Sequence, residues 1–126
     1  MSEADSVQRF LDRFSVLVVE DEAIISFLLE DMLVELGAAE IRHAATVAAA
    51  LAELDARRPD LAVLDVNLGG ERVYPVAERL EAAGVRFVFT TGYGKAGIDP
   101  RWAARIVVQK PFDIGMMTAG LKTVLS

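Results

Sequence analysis

Leu61-Ala62-Val63-Leu64-Asp65-Val66-Asn67-Leu68-Gly69-Gly70 is the stretch that decides the fold. Four apolar residues run without interruption into a carboxylate, and the run closes on two glycines. A short continuous apolar run bounded by turn residues is the pattern of a strand buried on both faces, as in a parallel sheet. A carboxylate at the C-terminal end of such a strand lies where open α/β sheets place their ligands.

Working outward, three more segments repeat the form. Val16-Leu17-Val18-Val19 runs into Glu20-Asp21, Phe87-Val88-Phe89 into Thr90-Thr91-Gly92, and Ile106-Val107-Val108 into Gln109-Lys110-Pro111. A shorter strand is expected over 40–44, reading as an edge. Between the strands lie helical patterns. Over 22–36, Ile24, Leu28 and Met32 recur every fourth residue, as do Ile25, Leu29 and Leu33, and Gly37 is a natural C′ residue. Thr46 can cap a helix that turns Val47, Leu51 and Leu54 inward, and Pro59 stops it. Over 71–83, Val73, Val76, Ala77 and Leu80 share a face, with Pro75 pushing the start later than Glu71. The segment 92–104 holds Gly92, Gly94, Gly97 and Pro100 and reads as a loop or broken turn. The last strand is expected over 105–109, and Pro111 opens a final helix with Ile114, Met117, Leu121 and Val124 buried.

Strands and helices alternating at this pitch predict a flavodoxin-like α/β fold. Five parallel strands lie in the order 2-1-3-4-5, with helices on both faces. Residues 15–126 form this domain. Residues 1–14 are an N-terminal helical extension, with Val7, Phe10, Leu11 and Phe14 at helical spacing. Packing on the domain's own surface is the plainer reading of that helix, and a helix for self-association into a homodimer or for a partner the sharper one.

The chain has 126 residues, of which 53% are hydrophobic, so a substantial core is available and disorder is not expected. Without cysteine there is neither a disulfide framework nor a thiolate metal site. A net charge of −6 opposes binding to phosphate backbones, so nucleic acid is not an expected partner. Neither a signal peptide nor a membrane-length apolar span is seen, and a cytoplasmic protein is expected.

In the order 2-1-3-4-5 the first and third strands meet at the switch point, so Glu20, Asp21 and Asp65 share one crevice. Two carboxylates about 4 Å apart at an effective dielectric near 20 repel by roughly 4 kcal/mol, so a proton or a cation must enter. Mg2+ suits an all-oxygen site of this kind and commonly bridges a phosphate. Alone, Glu20 and Asp21 would read as acids favoured at a helix N-terminus. Beside Asp65 and Lys110 they read as a site. Asp65 can attack a phosphoryl group, Lys110 supplies positive charge to the phosphoryl oxygens, and Thr91 supplies a hydroxyl. Thr90 is the competing hydroxyl. Strand alternation lets only one of the two face the crevice, and Thr91 precedes the glycine.

Glu20-Asp21, Asp65, Thr91-Gly92 and Lys110-Pro111-Phe112, each after its own strand and in this order, resemble the receiver domain of two-component response regulators. The resemblance covers 15–126. It implies Mg2+-dependent phosphorylation of Asp65, with Glu20, Asp21, Asp65 and the backbone carbonyl of Asn67 as metal ligands. A sensor histidine kinase or phosphotransfer protein would be the donor. The stretch from Phe87 to Gly94 is similar to the FAT GUY subgroup of receivers, with Thr90 in place of its alanine and Tyr93 directly after the glycine. That subgroup tends to pair with HWE or HisKA-2 kinases, often as single-domain proteins. One position departs: many receivers carry an aromatic switch residue three before the lysine, and here it is Val107. Movement of 92–104, with Tyr93 or Trp102, is the expected substitute.

With no residues beyond the final helix, a stand-alone receiver is expected, signalling by protein contact or acting as a phosphate sink rather than as an enzyme. An aspartyl-phosphate phosphatase is the enzymatic alternative, disfavoured because Asn67 stands where such enzymes need an acid. A pseudo-receiver that works unphosphorylated is the binding-module alternative. The sole histidine, His43, is expected to be a surface residue of the edge strand.

Overall fold

The computed structural model describes residues 9–93 and 97–126. Its principal elements are β1 (Ser15–Val19), α1 (Ala23–Glu35), β2 (Glu40–Ala44), α2 (Val47–Ala56) and β3 (Leu61–Asp65). Next come a small hairpin of β4 (Asn67–Leu68) and β5 (Glu71–Arg72), then α3 (Tyr74–Ala82) and β6 (Arg86–Thr91). A 3-10 turn at Pro100–Trp102, β7 (Val107–Gln109) and α4 (Ile114–Leu125) complete the chain. The main sheet is parallel in the order β2-β1-β3-β6-β7. Setting the hairpin strands aside, this is the expected 2-1-3-4-5.

β3 lies centrally and all five of its residues are buried, as its unbroken apolar run requires. Period-two alternation divides the core into two layers. Leu17, Val19, Ala62, Leu64, Phe87 and Phe89 pack with Val76, Ala77 and Leu80 of α3 and Val47 and Ala50 of α2. Val16, Val18, Leu61, Val63 and Val88 pack with Leu29, Met32 and Leu33 of α1 and Met117 and Leu121 of α4.

The helix ends follow local chemistry. Thr46 accepts the Ala49 N–H at 3.0 Å to start α2, and Asp113 accepts the Met116 N–H at 2.8 Å to start α4. α1 closes through Gly37 at φ +104°, with Ala38 N–H donating to the Leu33 carbonyl and Gly37 N–H to that of Val34, each at 3.0 Å. This is a Schellman motif, and a residue with a Cβ would be strained there.

Several expectations need correction. α3 starts at Tyr74, the later start expected from Pro75, but the residues before it are not loop: Glu71 and Arg72 are drawn into a hairpin whose turn is Gly69-Gly70, both at positive φ. A two-residue Gly-Gly loop between pairing residues is a recognised hairpin signal. The last helix begins at Ile114 rather than Pro111, since Asp113 is its cap. β7 starts two residues later than expected, because the Arg105 N–H is taken by the Trp102 carbonyl in a turn. The apolar face of α1 is wider than its buried stripe, leaving Ile24 at 83% and Phe27 at 66% exposure. Residues 92–104 hold no α-helix among the described residues, in keeping with their glycines and proline.

The helix expected over 1–14 lies largely outside the described residues. Residues 9–14 form turns around one antiparallel bridge, Asp12 to Ala38. Leu11 is fully buried in the α1/α4 layer, and its N–H donates to the Leu36 carbonyl at 3.0 Å.

Candidate functional site

The C-terminal ends of β1, β3, β6 and β7 open together at one end of the sheet. Register places Val19 beside Leu64, Asp65 beside Thr90, and Thr91 beside Gln109. Glu20, Asp21, Asp65, Thr91 and Lys110 therefore leave adjacent strands at one level. Glu20, Asp21 and Asp65 each offer a carboxylate oxygen within 4.8 Å of the others, Glu20 and Asp65 buried and Asp21 exposed. The Lys110 ammonium donates to Glu20 Oε1 at 2.9 Å and lies 3.4 Å from Asp65 Oδ2.

Burial pushes the Glu20 carboxyl up to about 7, and the Lys110 hydrogen bond only partly opposes it. Burial also raises the Asp65 carboxyl, against the hydrogen bond with Glu20 and the Lys110 charge. For Lys110 burial acts to lower the pKa, but the Glu20 hydrogen bond and the two carboxylate charges outweigh it, and the ammonium is held above its usual range. The site thus keeps one cation against two buried acids and remains short of positive charge. An all-oxygen donor set that is crowded and partly desolvated fits Mg2+.

A cavity of about 360 Å³ opens over Asp65, lined by Glu22, Asn67, Thr91, Gly92, Tyr93 and Lys110. Thr91 is buried and its Oγ1 accepts the Tyr93 N–H at 3.1 Å. Thr90 faces the opposite layer, fully buried, with no partner for its hydroxyl among the described residues. Of the two threonines, the structure brings Thr91 to the cavity.

Asn67 is positioned by the hairpin. Its N–H points to Asp65 Oδ1 at 3.4 Å, and its side-chain Oδ1 accepts the Gly70 N–H at 3.2 Å. Val66 and Val73 are a hydrogen-bonded pair, Val73 N–H to Val66 carbonyl at 3.0 Å. Antiparallel pairs alternate, so the next pair, Asn67 with Arg72, is a non-hydrogen-bonded one and the Asn67 carbonyl points out of the ladder. Sequence reasoning did not find this hairpin or the place of Glu22 in the cavity wall. The Gly-Gly pair was the available signal for the first.

His43 lies on the β2 edge, about one-third exposed, between Ser26 Oγ and Glu30 Oε1 of α1, each at 2.7 Å. It fastens edge strand to helix and stands outside the acid cluster.

The sequence matches the model of the response regulator receiver domain over residues 16–122. The chain belongs to the response regulator receiver family. Among solved structures it is similar to SdrG from Sphingomonas melonis Fr1, at 42% identity and a TM-score of 0.81, covering 90% of this chain and 98% of that one. The receiver domain of PhyR from Erythrobacter litoralis is similar at 27% identity and a TM-score of 0.75, covering 90% and 91%. No curated protein matches the chain. Receivers are typically signalling modules, and the family generally binds Mg2+ through an acidic cluster; Glu20, Asp21 and Asp65 form an acidic group here that could hold a metal. Among the described residues no helix is long and apolar enough to cross a membrane.

Proposed function

We propose that this receiver accepts a phosphoryl group on Asp65 from the phosphohistidine of a sensor histidine kinase or phosphotransfer protein and changes its affinity for a protein partner in the cytoplasm. The observation that supports this best is the buried Asp65 carboxylate at the cavity floor, 3.4 Å from the Lys110 ammonium and clustered with two further acids. An Asp65 oxygen attacks phosphorus, the P–N bond to the donor imidazole breaks, and the imidazole leaves with its proton. Lys110 neutralises charge on the transferring oxygens, and the Thr91 hydroxyl donates to one of them. Glu20, Asp21, Asp65 and the Asn67 carbonyl would hold Mg2+, which supplies the remaining charge neutralisation when bound.

The donor's docking surface is best sought beside α1. Ile24, Phe27 and Leu28 are exposed there, and Ile25 and Leu28 line a depression with Lys110, Pro111 and Phe112. The resemblance of the Phe87 to Gly94 stretch to the FAT GUY subgroup supports a kinase of the HWE or HisKA-2 type.

Incubation with acetyl phosphate and Mg2+, followed by intact mass measurement, tests this reading. One added phosphoryl group on the wild type and none on Asp65→Asn is the expected result. Sustained turnover of small phosphate esters would favour a phosphatase instead, and no addition at all would favour a module that works unphosphorylated.

A further inference from the structure

The connection from β6 to β7 is fastened to the acceptor site at one end and to α3 at the other. At the near end Thr91 Oγ1 accepts the Tyr93 N–H. Gly97 packs so closely that a Cβ there would lie 2.8 Å from Tyr93 Cβ and 3.5 Å from Thr91 Oγ1. At the far end the Asp99 N–H donates to Tyr74 Oη at 2.8 Å, and Asp99 caps the 3-10 turn through the Arg101 N–H at 3.0 Å. That turn drives Trp102 into the core. The indole is 3% exposed, stacked on Tyr74 at 6.3 Å and edge-on to Phe87 and Phe89 at 6.1 and 6.0 Å.

Phe87, Phe89 and Thr91 alternate on one face of β6, so the Trp102 ring rests on the same strand face that ends in the site hydroxyl. Val107 is beside Phe89 in register and packs against this cluster. It is too small to supply an aromatic lever. Arg101 reaches Glu78 at 2.6 Å and Arg105 reaches Glu81 at 2.5 Å, holding the segment along α3. These ion pairs are exposed and weak, so the buried rings and the Tyr74–Asp99 bond are the main fastening.

We infer that Trp102 and Tyr74 form the latch through which phosphorylation is read, with Trp102 as the moving aromatic group in place of Val107. This rests on Asp65 and Thr91 being the acceptor site. Turning the Thr91 hydroxyl toward a phosphoryl oxygen carries Oγ1 away from the Tyr93 N–H. The packing of Tyr93 against Gly97 is then lost, the Asp99–Tyr74 bond breaks, and Trp102 lifts from Phe87 and Phe89. The surface uncovered combines an apolar cleft on Tyr74 and Phe89 with the acids Glu78 and Glu81, which fits a partner bearing apolar and basic side chains.

Trp102 is the single tryptophan of the chain. Its emission, excited where tyrosine does not absorb, can be followed while Mg2+ and beryllofluoride are added, with fluorine NMR reporting bound beryllofluoride independently. The expected result is a bound fluorine signal together with a red shift of emission and roughly a doubling of the acrylamide quenching constant, as a buried ring opens to solvent. Thr91→Ala should weaken the fluorine signal, because its hydroxyl contacts the phosphoryl oxygens, and should lose the emission change even where beryllofluoride is saturating. Tyr74→Phe should shift the emission before any beryllofluoride is added. A bound fluorine signal with unchanged emission and quenching overturns the latch while leaving the acceptor site intact. Absence of the fluorine signal overturns the acceptor reading, and the latch with it.

Discussion

Lys110 Nζ donates to Glu20 Oε1 at 2.9 Å, joining the ends of β7 and β1 across 90 residues of chain. In the absence of a divalent ion this ammonium is the positive charge that lets the acids of the crevice coexist. Lys110→Met should therefore leave Mg2+ affinity unchanged or increase it, because a competing cation is gone. The same change should slow phosphorylation by acetyl phosphate at least roughly tenfold, since one charge on the transferring oxygens is worth well over 1.4 kcal/mol. Titration calorimetry and mass-resolved time courses check the two halves. A large loss of Mg2+ affinity would oppose the competition argument.

Burial raises the Glu20 carboxyl from its ordinary 4.5 to about 7. The folded protein then holds this proton more tightly than the unfolded chain does, so the associated stability is complete below pH 4.5 and is lost as the pH rises to about 7. The Tm of the Mg2+-free protein should carry a falling contribution across that window, seen as the difference between wild type and Glu20→Gln. Mg2+ should raise Tm more at pH 8 than at pH 5, because protons and metal compete for the same oxygens. Scanning calorimetry at both values, with and without Mg2+, gives the comparison.

Gly70 sits at φ +93° with open space where a Cβ would point. The cost of Gly70→Ala is therefore conformational rather than steric, about 1–2 kcal/mol for left-handed backbone. Because its N–H anchors the Asn67 side chain, the same change should weaken Mg2+ binding, whereas a purely structural turn would lose stability alone. Urea denaturation and calorimetric Mg2+ titration separate the two.

Trp102→Ala removes the largest side chain of the α2/α3 layer and should cost about 3–5 kcal/mol, measured by chemical denaturation. Ring burial is the reason, and a loss below roughly 1 kcal/mol would show that the cluster closes over the gap.

Phe27 is 66% exposed on α1. Phe27→Ala should leave stability within about 0.5 kcal/mol and leave acetyl phosphate uptake unchanged. Transfer from the cognate kinase should slow. Equal rates from both donors before and after the change would remove α1 from the docking surface.

How much of this could be read in advance follows from how each residue is held. β3 and Asp65 were legible because an unbroken apolar run of four ending in an acid is too short for a buried helix and too apolar for a loop. Glu20, Asp21, Thr91 and Lys110 followed once parallel order aligned the strand ends; alternation allowed only one threonine to face the crevice, and the glycine after Thr91 pointed to it. The hairpin was hidden because Glu71 and Arg72 also fit a helix start, and the Gly-Gly turn competes with that pattern only through its positive φ angles. The exposure of Ile24 and Phe27 was hidden too, since periodicity reports which residues are apolar and not how wide a neighbour covers them. Trp102 was placed by Tyr74 and Phe89, which lie far away in the chain and carry no local signal.

Leu11 has a practical bearing on how this protein is handled. The family match begins at residue 16, and a fragment trimmed to that point would discard a plug seated under α1 and its hydrogen bond to the Leu36 carbonyl. Such a fragment would expose oily surface at the end of the molecule remote from Asp65, so poor solubility after trimming would say nothing about signalling competence.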